Sequence, residues 1–386
     1  MTISNNTKGS IPLFTPLKLR SIAVKNRIVI SPMQQYAAKA DAKPTSWHTN
    51  HLERLAIGGA GLVFTEALAV TEQGRATHAD VGIWSHTHME SLKPIAEAIS
   101  RHGAIAGAQL IHAGRKASVQ VPWDGYQSLS EQDALTGSPP WPTVAPSSIP
   151  ANPGWQMPKA LEKDEIWRLR DAFALGARRA AQAGFEALNV HGAHGYLIHS
   201  FLSPLSNHRT DEYGGELGNR MRFALEVAQA VRAEWPGHLP IFYRLSCIDD
   251  LEGGWTMEDT LVLAKALGDL GIDVIDCSSR GLTDRGTLAP GREPGYQVPF
   301  AQSVRLNTDL RTMAVGLITH PKHANEIVAN EQADLVAIGR ESLHNPHWPA
   351  QAALELGYDP EYSTWPKAYG WWLLRRDRSN ARRLAK

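Results

Sequence analysis

Eight short runs of apolar residues recur along the chain, and nearly all are separated by segments with the spacing of amphipathic helices. Continuous apolar strands that alternate with helices are typical of a parallel sheet covered on both faces. Eight such units predict a (β/α)8 TIM barrel. The predicted strands cover residues 27–30, 61–65, 104–108, 185–190, 241–245, 274–277, 311–315 and 335–338. The predicted helices cover about 47–57, 89–101, 164–183, 220–233, 256–270 and a segment that begins at 320.

The remaining segments predict a single barrel over residues 11–386, with additions. Residues 1–10 are polar and predict a flexible N-terminus, and residues 13–24 with a turn at 25–26 predict a short hairpin. A long, proline-rich loop at about 118–160 follows the third strand, which favours a lid or wall of a site. A tail begins near residue 360. A doubly wound sheet is the alternative, but no Gly-x-Gly-x-x-Gly opens a helix after the first strand.

Composition excludes several classes of protein. Lys+Arg and Asp+Glu both number 39, so no basic field favours a nucleic acid or an anionic membrane. Two cysteines are too few for a disulfide framework or a four-thiolate cluster. There is no 18-residue apolar run and no basic segment followed by an apolar one at the N-terminus, so we expect neither a membrane span nor a signal peptide. A cytoplasmic protein is the default expectation.

The fourth predicted strand runs directly into the sequence His-Gly-Ala-His-Gly-Tyr at residues 191–196. Two imidazoles and a phenol would therefore emerge together at the carboxyl end of a parallel strand, where α/β active sites lie. Three interpretations compete. The histidines could be satisfied by neighbours in a turn, or His191 and His194 could be two ligands of a metal. In the third, both rings donate to a substrate oxygen and Tyr196 supplies a proton.

The other predicted strand ends favour a large organic ligand over a metal. Glu66 is the only acidic neighbour, whereas divalent metals prefer carboxylates or thiolates. Gly316 and Gly339-Arg340 match the phosphate site that barrels build after strands seven and eight. The full set of residues at the strand ends comprises Ser31, Pro32, Met33, Gln34, Ala67, Gln109, His191, His194, Arg244, Ser278, Ser279, Gly316, Gly339 and Arg340.

Two polar side chains in this set have alternatives within the protein. Gln109 could hydrogen-bond the edge of a heterocyclic ring, or it could be a buried amide satisfied by its neighbours. Arg244 needs an anion, because a buried arginine is rarely unpaired. Glu66 or Asp276 could supply that anion in place of a ligand.

The motifs resemble those of the old yellow enzyme family, FMN-dependent ene-reductases built on a TIM barrel. The likeness covers about residues 11–375 and is nearest to the bacterial branch of xenobiotic reductases and thermophilic-like ene-reductases. The most specific motif is His-x-x-His-x-Tyr at 191–196 followed by Arg-Thr-Asp-Glu-Tyr-Gly-Gly at 209–215. The other motifs are Ser31-Pro-Met33, Tyr36, residues 109–116, residues 201–207, Asn219-Arg220 and Ile338-Gly-Arg340.

This resemblance implies a non-covalently bound FMN, reduced by NADPH or NADH, and a small-molecule activated alkene as substrate. It implies that His191, His194 and Tyr36 bind the carbonyl or nitro oxygen of the alkene. Tyr196 would protonate the α-carbon after hydride transfer from flavin N5 to the β-carbon, in ping-pong fashion. The implied FMN-binding residues are Ser31, Pro32, Met33, Gln34, Ala67, Gln109, His191, Arg244, Val315, Gly316, Gly339 and Arg340.

One position departs from the branch. Cysteine is usual where this chain has Gln34, so the flavin potential and the substrate range are open. Two other functions are alternatives: a flavin-free barrel lyase or aldolase, and a flavoprotein that acts mainly as an oxidase or dehydrogenase. A Schiff-base aldolase needs a lysine at a strand end, and none is evident.

The tail carries three tryptophans within eight residues, at 365, 371 and 372. Such a cluster favours either packing on its own barrel or an interface with another chain. Related enzymes of the branch insert a C-terminal side chain into a neighbour's site. The resemblance therefore implies a homodimer-based assembly in which Trp371 or Trp372 contributes to the substrate site of the partner.

Overall fold

The computed structural model describes residues 11–283 and 292–384, and eight parallel strands within them close into a barrel. Each strand pairs with its successor in the chain, and the last pairs with the first. The predicted (β/α)8 barrel is therefore confirmed. Its strands are β1 (Ile28–Ile30), β2 (Leu62–Ala69), β3 (Ile105–Ile111), β4 (Ala187–Gly192), β5 (Ile241–Ser246), β6 (Val274–Ser278), β7 (Arg311–Ala314) and β8 (Leu335–Ile338).

Helices pack around the outside of the barrel. A capping box begins α5, since Thr256 Oγ1 accepts from the Asp259 backbone N–H at 3.2 Å. Proline begins α7, as expected for a first-turn position. The helices are α1 (Ser46–Ile57), α2 (His86–Ser100), α3 (Lys163–Gln182), α4 (Leu217–Glu234), α5 (Met257–Asp269), α6 (Val298–Asn307), α7 (Pro321–Ala329) and α8 (Trp348–Glu355).

The predicted hairpin is confirmed, but its turn lies elsewhere. Strands Leu17–Leu19 and Ile22–Val24 pair antiparallel, so the chain reverses at residues 20–21 rather than at 25–26. Arg20 adopts a left-handed φ of 51° there. The hairpin's apolar side chains join the cluster of residues that fills the barrel interior, so the hairpin closes the end opposite the strand carboxyl termini.

Short elements follow several strands. Helices Leu197–Leu202 and Arg340–His344 follow β4 and β8. The long loop after β3 contains Pro122–Asp124 as a 3-10 turn, helix Glu131–Ala134, and a two-stranded sheet of Val144–Ala145 with Lys159–Ala160. The 3-10 turns Pro12–Phe14 and Gly114–Lys116 complete the elements, apart from the C-terminal helix Lys367–Leu384. The predicted flexible N-terminus, residues 1–10, lies outside the described residues.

Both cysteines of the chain, Cys247 and Cys277, are free thiols with no solvent exposure. They lie at the ends of the neighbouring strands β5 and β6, behind the barrel mouth. No helix in the described ranges is long and apolar enough to cross a bilayer.

Candidate active site

Two cavities lie at the carboxyl end of the barrel, and His194 and Arg244 line both of them. The larger has a volume of about 310 Å³ and contains the predicted phosphate-binding residues. The smaller, of about 230 Å³, contains the predicted ring and substrate residues. The larger is lined by Val315, Gly316, Gly339 and Arg340; the smaller is lined by Pro32, Gln34, Tyr36, Ala67, Gln109, His191 and Tyr196.

Three predicted residues or pairs lie outside the walls of these cavities. Ser31 is buried at the end of β1, and its backbone N–H donates to the carbonyl of Ile338 at 3.0 Å. Met33 lies behind Gly339: a Cβ added at Gly339 would be 3.9 Å from the Met33 sulfur. Trp371 and Trp372 lie on the C-terminal helix, half or more exposed to solvent.

β4 delivers the two imidazoles and the phenol to one place. The His191 ring centroid lies 5.1 Å from that of His194 and 4.9 Å from that of Tyr196, both edge to face. His194 has a left-handed φ of 59°, and its Nε2 lies 2.6 Å from Ser278 Oγ. The three side chains therefore converge, as the sequence predicts.

Burial keeps both imidazoles neutral. Desolvation lowers the pKa of His191 and of His194 well below the usual value, and the positive charge of Arg244 lowers both further. The Nδ1 of His191 accepts from the Ala193 backbone N–H at 3.3 Å, so its proton is on Nε2. Both rings are therefore uncharged, and Nε2 of His191 is a hydrogen-bond donor.

The metal interpretation finds no support in the described part of the chain. No group of three or more histidines, cysteines or carboxylates within residues 11–283 and 292–384 has the arrangement to hold a metal ion. His194 has Ser278 beside its Nε2, and a serine hydroxyl is not a ligand that zinc prefers.

Arg244 is placed at the junction of the two cavities by β5. Its Nε lies 3.5 Å from Asp276 Oδ2, so Asp276 and not Glu66 is its partner within the protein. Asn189 also donates to Asp276, at 3.1 Å. Burial raises the pKa of Asp276, against the opposing effects of Arg244 and Asn189. A separation of 3.5 Å is long for a hydrogen bond, so the guanidinium can still serve an anion in the cavity.

Glu66 has a different partner. Its Oε2 lies 3.2 Å from His48 Nε2, on the first turn of α1, and both side chains are buried. The pair links α1 to the middle of β2.

The residues fit an FMN. Gln109 Nε2 is buried and has no hydrogen-bond partner in the described protein, which is costly unless a ligand accepts from it. Gly316 has a φ of 122°, and a Cβ there would lie 3.1 Å from the Tyr296 ring. Glycine therefore keeps this wall open where Arg340 supplies a cation. A buried amide donor at one end and an arginine with bare backbone at the other match a flavin ring and its phosphate.

Gln34 has a protein partner that the sequence did not indicate. It is the buried carboxyl group of Asp80, which lines the same cavity; burial raises the pKa of this group, and the side chains of Thr77 and Gln34 act against that rise. Asp80 also accepts from the backbone N–H of Ala76 at 2.7 Å and from Thr77 Oγ1 at 2.7 Å.

Other residues of the site follow β3 and were not assigned to it from the sequence. Lys116 lines the larger cavity, and its Nζ donates to the carbonyl of Gly281 at 3.0 Å. Tyr126 of the long loop lines the smaller one. Trp123, from the same loop, packs edge to face on Tyr36 with ring centroids 5.5 Å apart. The long loop therefore forms a wall of the site, as predicted.

A barrel with this cavity and donor set fits an FMN-dependent oxidoreductase. Residues 12–358 match the model of the NADH:flavin oxidoreductase / NADH oxidase family. The chain belongs to this family. The flavin-free lyase alternative is therefore wrong.

Sequence relatives support the same family. The chain is 44% identical to an NADPH dehydrogenase of Geobacillus sp. (strain WCH70) over 349 residues, 89% of this chain and 94% of that protein. It is 41% identical to an NADPH dehydrogenase of Listeria monocytogenes serotype 4a (strain HCC23) over 358 residues, 92% of this chain and 98% of that protein.

Solved structures show the same fold. The old yellow enzyme homologue from Zymomonas mobilis superposes with a TM-score of 0.73 at 28% identity, covering 88% of this chain and 91% of that one. Morphinone reductase superposes with a TM-score of 0.72 at 27% identity, covering 90% and 91%. The resemblance to the old yellow enzyme family is confirmed.

Proposed function

We propose that this protein is an ene-reductase that uses NADPH to reduce the C=C bond of α,β-unsaturated carbonyl or nitro compounds. One observation carries the proposal: two neutral imidazoles and a phenol converge in one cavity, and that cavity adjoins a second with an arginine and bare backbone. NADPH is favoured because relatives over 40% identical are NADPH dehydrogenases.

FMN would lie across both cavities, with its phosphate near Gly316 and Arg340 and its ring near Gln109. When bound, it supplies the hydride acceptor and donor. Ser31 and Met33 would support this site from behind the walls. The proposed FMN-binding residues are Ser31, Pro32, Met33, Gln34, Ala67, Gln109, His191, Arg244, Val315, Gly316, Gly339 and Arg340.

His191 and His194 would hold the substrate oxygen, with Tyr36 closing the same cavity. Neutral N–H donors stabilise negative charge that develops on this oxygen during hydride addition, and they do so without losing a proton. Burial raises the pKa of Tyr36 above that of an ordinary phenol, so it remains protonated. Tyr196 stands beside His191 and would give its proton to the α-carbon.

Arg244 would compensate negative charge on the cofactor. Its side chain is mostly buried, and Asp276 holds it at the junction of the two cavities. A fixed cation in a site with little water stabilises charge without reorganisation.

The assembly that we propose is a homodimer in the cytoplasm. Trp371 and Trp372 are 50% and 67% exposed, which argues against packing of these rings on their own barrel. Arg375 lies 3.9 Å from the Trp371 ring centroid and presents a charge beside it. Aromatic and arginine side chains are enriched in interfaces, and these would reach the partner's substrate site.

The test is a two-part kinetic measurement on purified enzyme with Tyr196→Phe. Denatured wild-type protein should first release free FMN, and FAD or no flavin would refute the cofactor assignment. The variant should be reduced by NADPH at the wild-type rate under anaerobic conditions but reoxidised slowly by an enone, because only the second step needs the proton. Equal slowing of both steps would contradict the role of Tyr196.

A further inference from the structure

His199 and Asp249 form a fully buried pair directly behind the segment that carries His194 and Tyr196. Neither side chain has any solvent exposure, and His199 Nε2 lies 2.9 Å from Asp249 Oδ1. Neither residue lines the two cavities at the barrel mouth. The proposed chemistry uses neither of them. Burial of an ionisable pair costs desolvation free energy, which only close contact and further hydrogen bonds offset.

Hydrogen bonding assigns the proton on the His199 ring. The backbone N–H of Gly195 donates to His199 Nδ1 at 2.8 Å, so Nδ1 carries no proton. A doubly protonated ring would set two N–H donors against each other at this distance. The ring proton therefore lies on Nε2, which is 2.9 Å from Asp249 Oδ1.

The two oxygens of Asp249 have different neighbours: Oδ1 lies beside His199, and Oδ2 accepts hydrogen bonds from other groups. Its Oδ2 accepts from Ser203 Oγ at 2.6 Å and from the Trp255 backbone N–H at 2.8 Å. Burial alone would raise the pKa of Asp249, but His199, Ser203 and the Trp255 N–H together lower it. The carboxylate therefore lies in ion-pair contact with Nε2 of the His199 ring and favours a proton at that nitrogen.

The Gly195 N–H lies between the two residues whose relative orientation matters most. His194 has a left-handed φ of 59°, which a residue other than glycine keeps only when surrounding contacts hold it, and Gly195 follows with a φ of 75°. The neighbouring backbone bonds are those from His194 N to Ser246 Oγ at 2.9 Å and from Tyr196 N to Ala193 O at 3.3 Å. The hydrogen bond from Gly195 N–H to His199 Nδ1 therefore lies between the hydrogen bonds that hold the backbone at His194 and at Tyr196.

We propose that His199 and Asp249 are positioning residues: Asp249 sets the tautomer of His199, and His199 holds the Gly195 N–H so that Tyr196 faces the oxygen bound by His194. The inference rests on the proposed roles of His194 and Tyr196. It assigns the buried pair to the alignment of proton donor and oxyanion donors.

Two substitutions of His199 distinguish the positioning of the Gly195 N–H from a role in which His199 is only a donor to the buried carboxylate of Asp249. In His199→Asn, the amide oxygen occupies the place of Nδ1 and can accept from Gly195, but the contact with Asp249 is lost. In His199→Gln, the amide nitrogen reaches the place of Nε2 and can donate to Asp249, but the Gly195 bond is lost. Each variant keeps one half of the link.

The two variants should therefore rank in opposite order for stability and for turnover. The Asn variant should have the lower melting temperature, because a buried carboxylate loses a donor. The Gln variant should have the lower kcat with an enone, by on the order of 10²-fold, since a misplaced proton donor costs that much. A Gln variant as active as wild type, or an Asn variant less active than the Gln variant, would overturn the proposal.

Asp249→Asn provides a second arm. If the amide oxygen keeps Ser203 and Trp255, the amide nitrogen faces His199 Nε2 and drives the ring to the other tautomer, which then opposes the Gly195 N–H. Turnover should fall as in His199→Gln. Wild-type turnover in a folded Asp249→Asn enzyme would contradict the assignment.

Measurements without substrate keep this inference distinct from the proposed function. In 15N-histidine-labelled wild-type enzyme, His199 should show an unprotonated Nδ1, and hydrogen exchange of the Gly195 amide should be slow. Exchange should accelerate in His199→Gln and not in His199→Asn. A protonated Nδ1, or equal exchange in both variants, refutes the positioning role. Failure of the wild-type enzyme to reduce any enone refutes the proposed function instead.

Discussion

Acid sensitivity of the fold offers a quantitative test at His112, which follows β3. Burial lowers the pKa of His112 to about 3, its Nδ1 accepts from the Gly114 N–H at 3.1 Å, and its Nε2 has no partner in the described structure. In the unfolded chain a histidine has a pKa of about 6.5. The unfolded state therefore binds more protons as pH falls, and stability is lost between about pH 6.5 and the folded pKa.

The size of this loss follows from linkage. Between pH 6.0 and 5.0 the unfolded chain carries most of one proton at this site, whereas the folded chain carries almost none. The free energy of unfolding should fall by about 1.2 kcal/mol over this interval on account of His112 alone. His191 and His194 add to the total in the same direction, since burial also lowers their pKa values.

The assay compares urea unfolding of the wild type with that of His112→Asn at pH 6.0 and 5.0, with FMN in excess. An asparagine oxygen can replace Nδ1 as acceptor for Gly114, but it does not titrate. The variant should lose about 1.2 kcal/mol less than the wild type between the two pH values. His86, which is exposed on α2, is the matched control, and His86→Asn should behave as wild type. Equal losses in wild type and His112→Asn would refute the reasoning.

Three further outcomes are expected. Replacing His191 or His194 with Ala should lower enone turnover by roughly 10²–10³ with FMN still bound, and unchanged turnover would return both to a structural role. Gln34→Cys should shift the FMN midpoint potential by at least ~10 mV, because one hydrogen bond at the ring is worth about that much; an unmoved potential would mean that the amide does not act on the flavin. Joint substitution of Trp371 and Trp372 with Ala should give a monomer with impaired activity in analytical ultracentrifugation and assays. A fully active wild-type monomer would contradict the dimer.

The barrel was predictable because its strands are almost entirely buried, and most of them contain a continuous apolar run. β2 illustrates the limit of this signal. It extends to Ala69, past the predicted end at 65, because polar Thr65 and Glu66 stay in the strand through an irregularity in its pairing with β3. Helix α6 was missed because only three of its ten residues are buried, and its apolar period is weak.

The site divides in the same way. His191, His194 and Tyr196 were predictable because all three lie within six residues at the end of one strand. Asp80 was not, since it binds the turn that contains it and reaches Gln34 only through the fold. The role of His199 likewise depends on Asp249, which is 50 residues away and has no pattern that links the two.

Enclosure of both cysteines has a practical consequence. Activated alkenes are electrophiles that alkylate accessible thiolates, and only the thiolate form of cysteine is reactive. Cys247 and Cys277 have no exposed surface, and burial together with the neighbouring Cys247 raises the pKa of Cys277 well above the usual value. The folded protein should therefore withstand self-alkylation by concentrated substrate. A single cysteine introduced on its surface would be the one site open to a thiol-directed label or support, so the enzyme can be immobilised in a defined orientation without removing its native thiols.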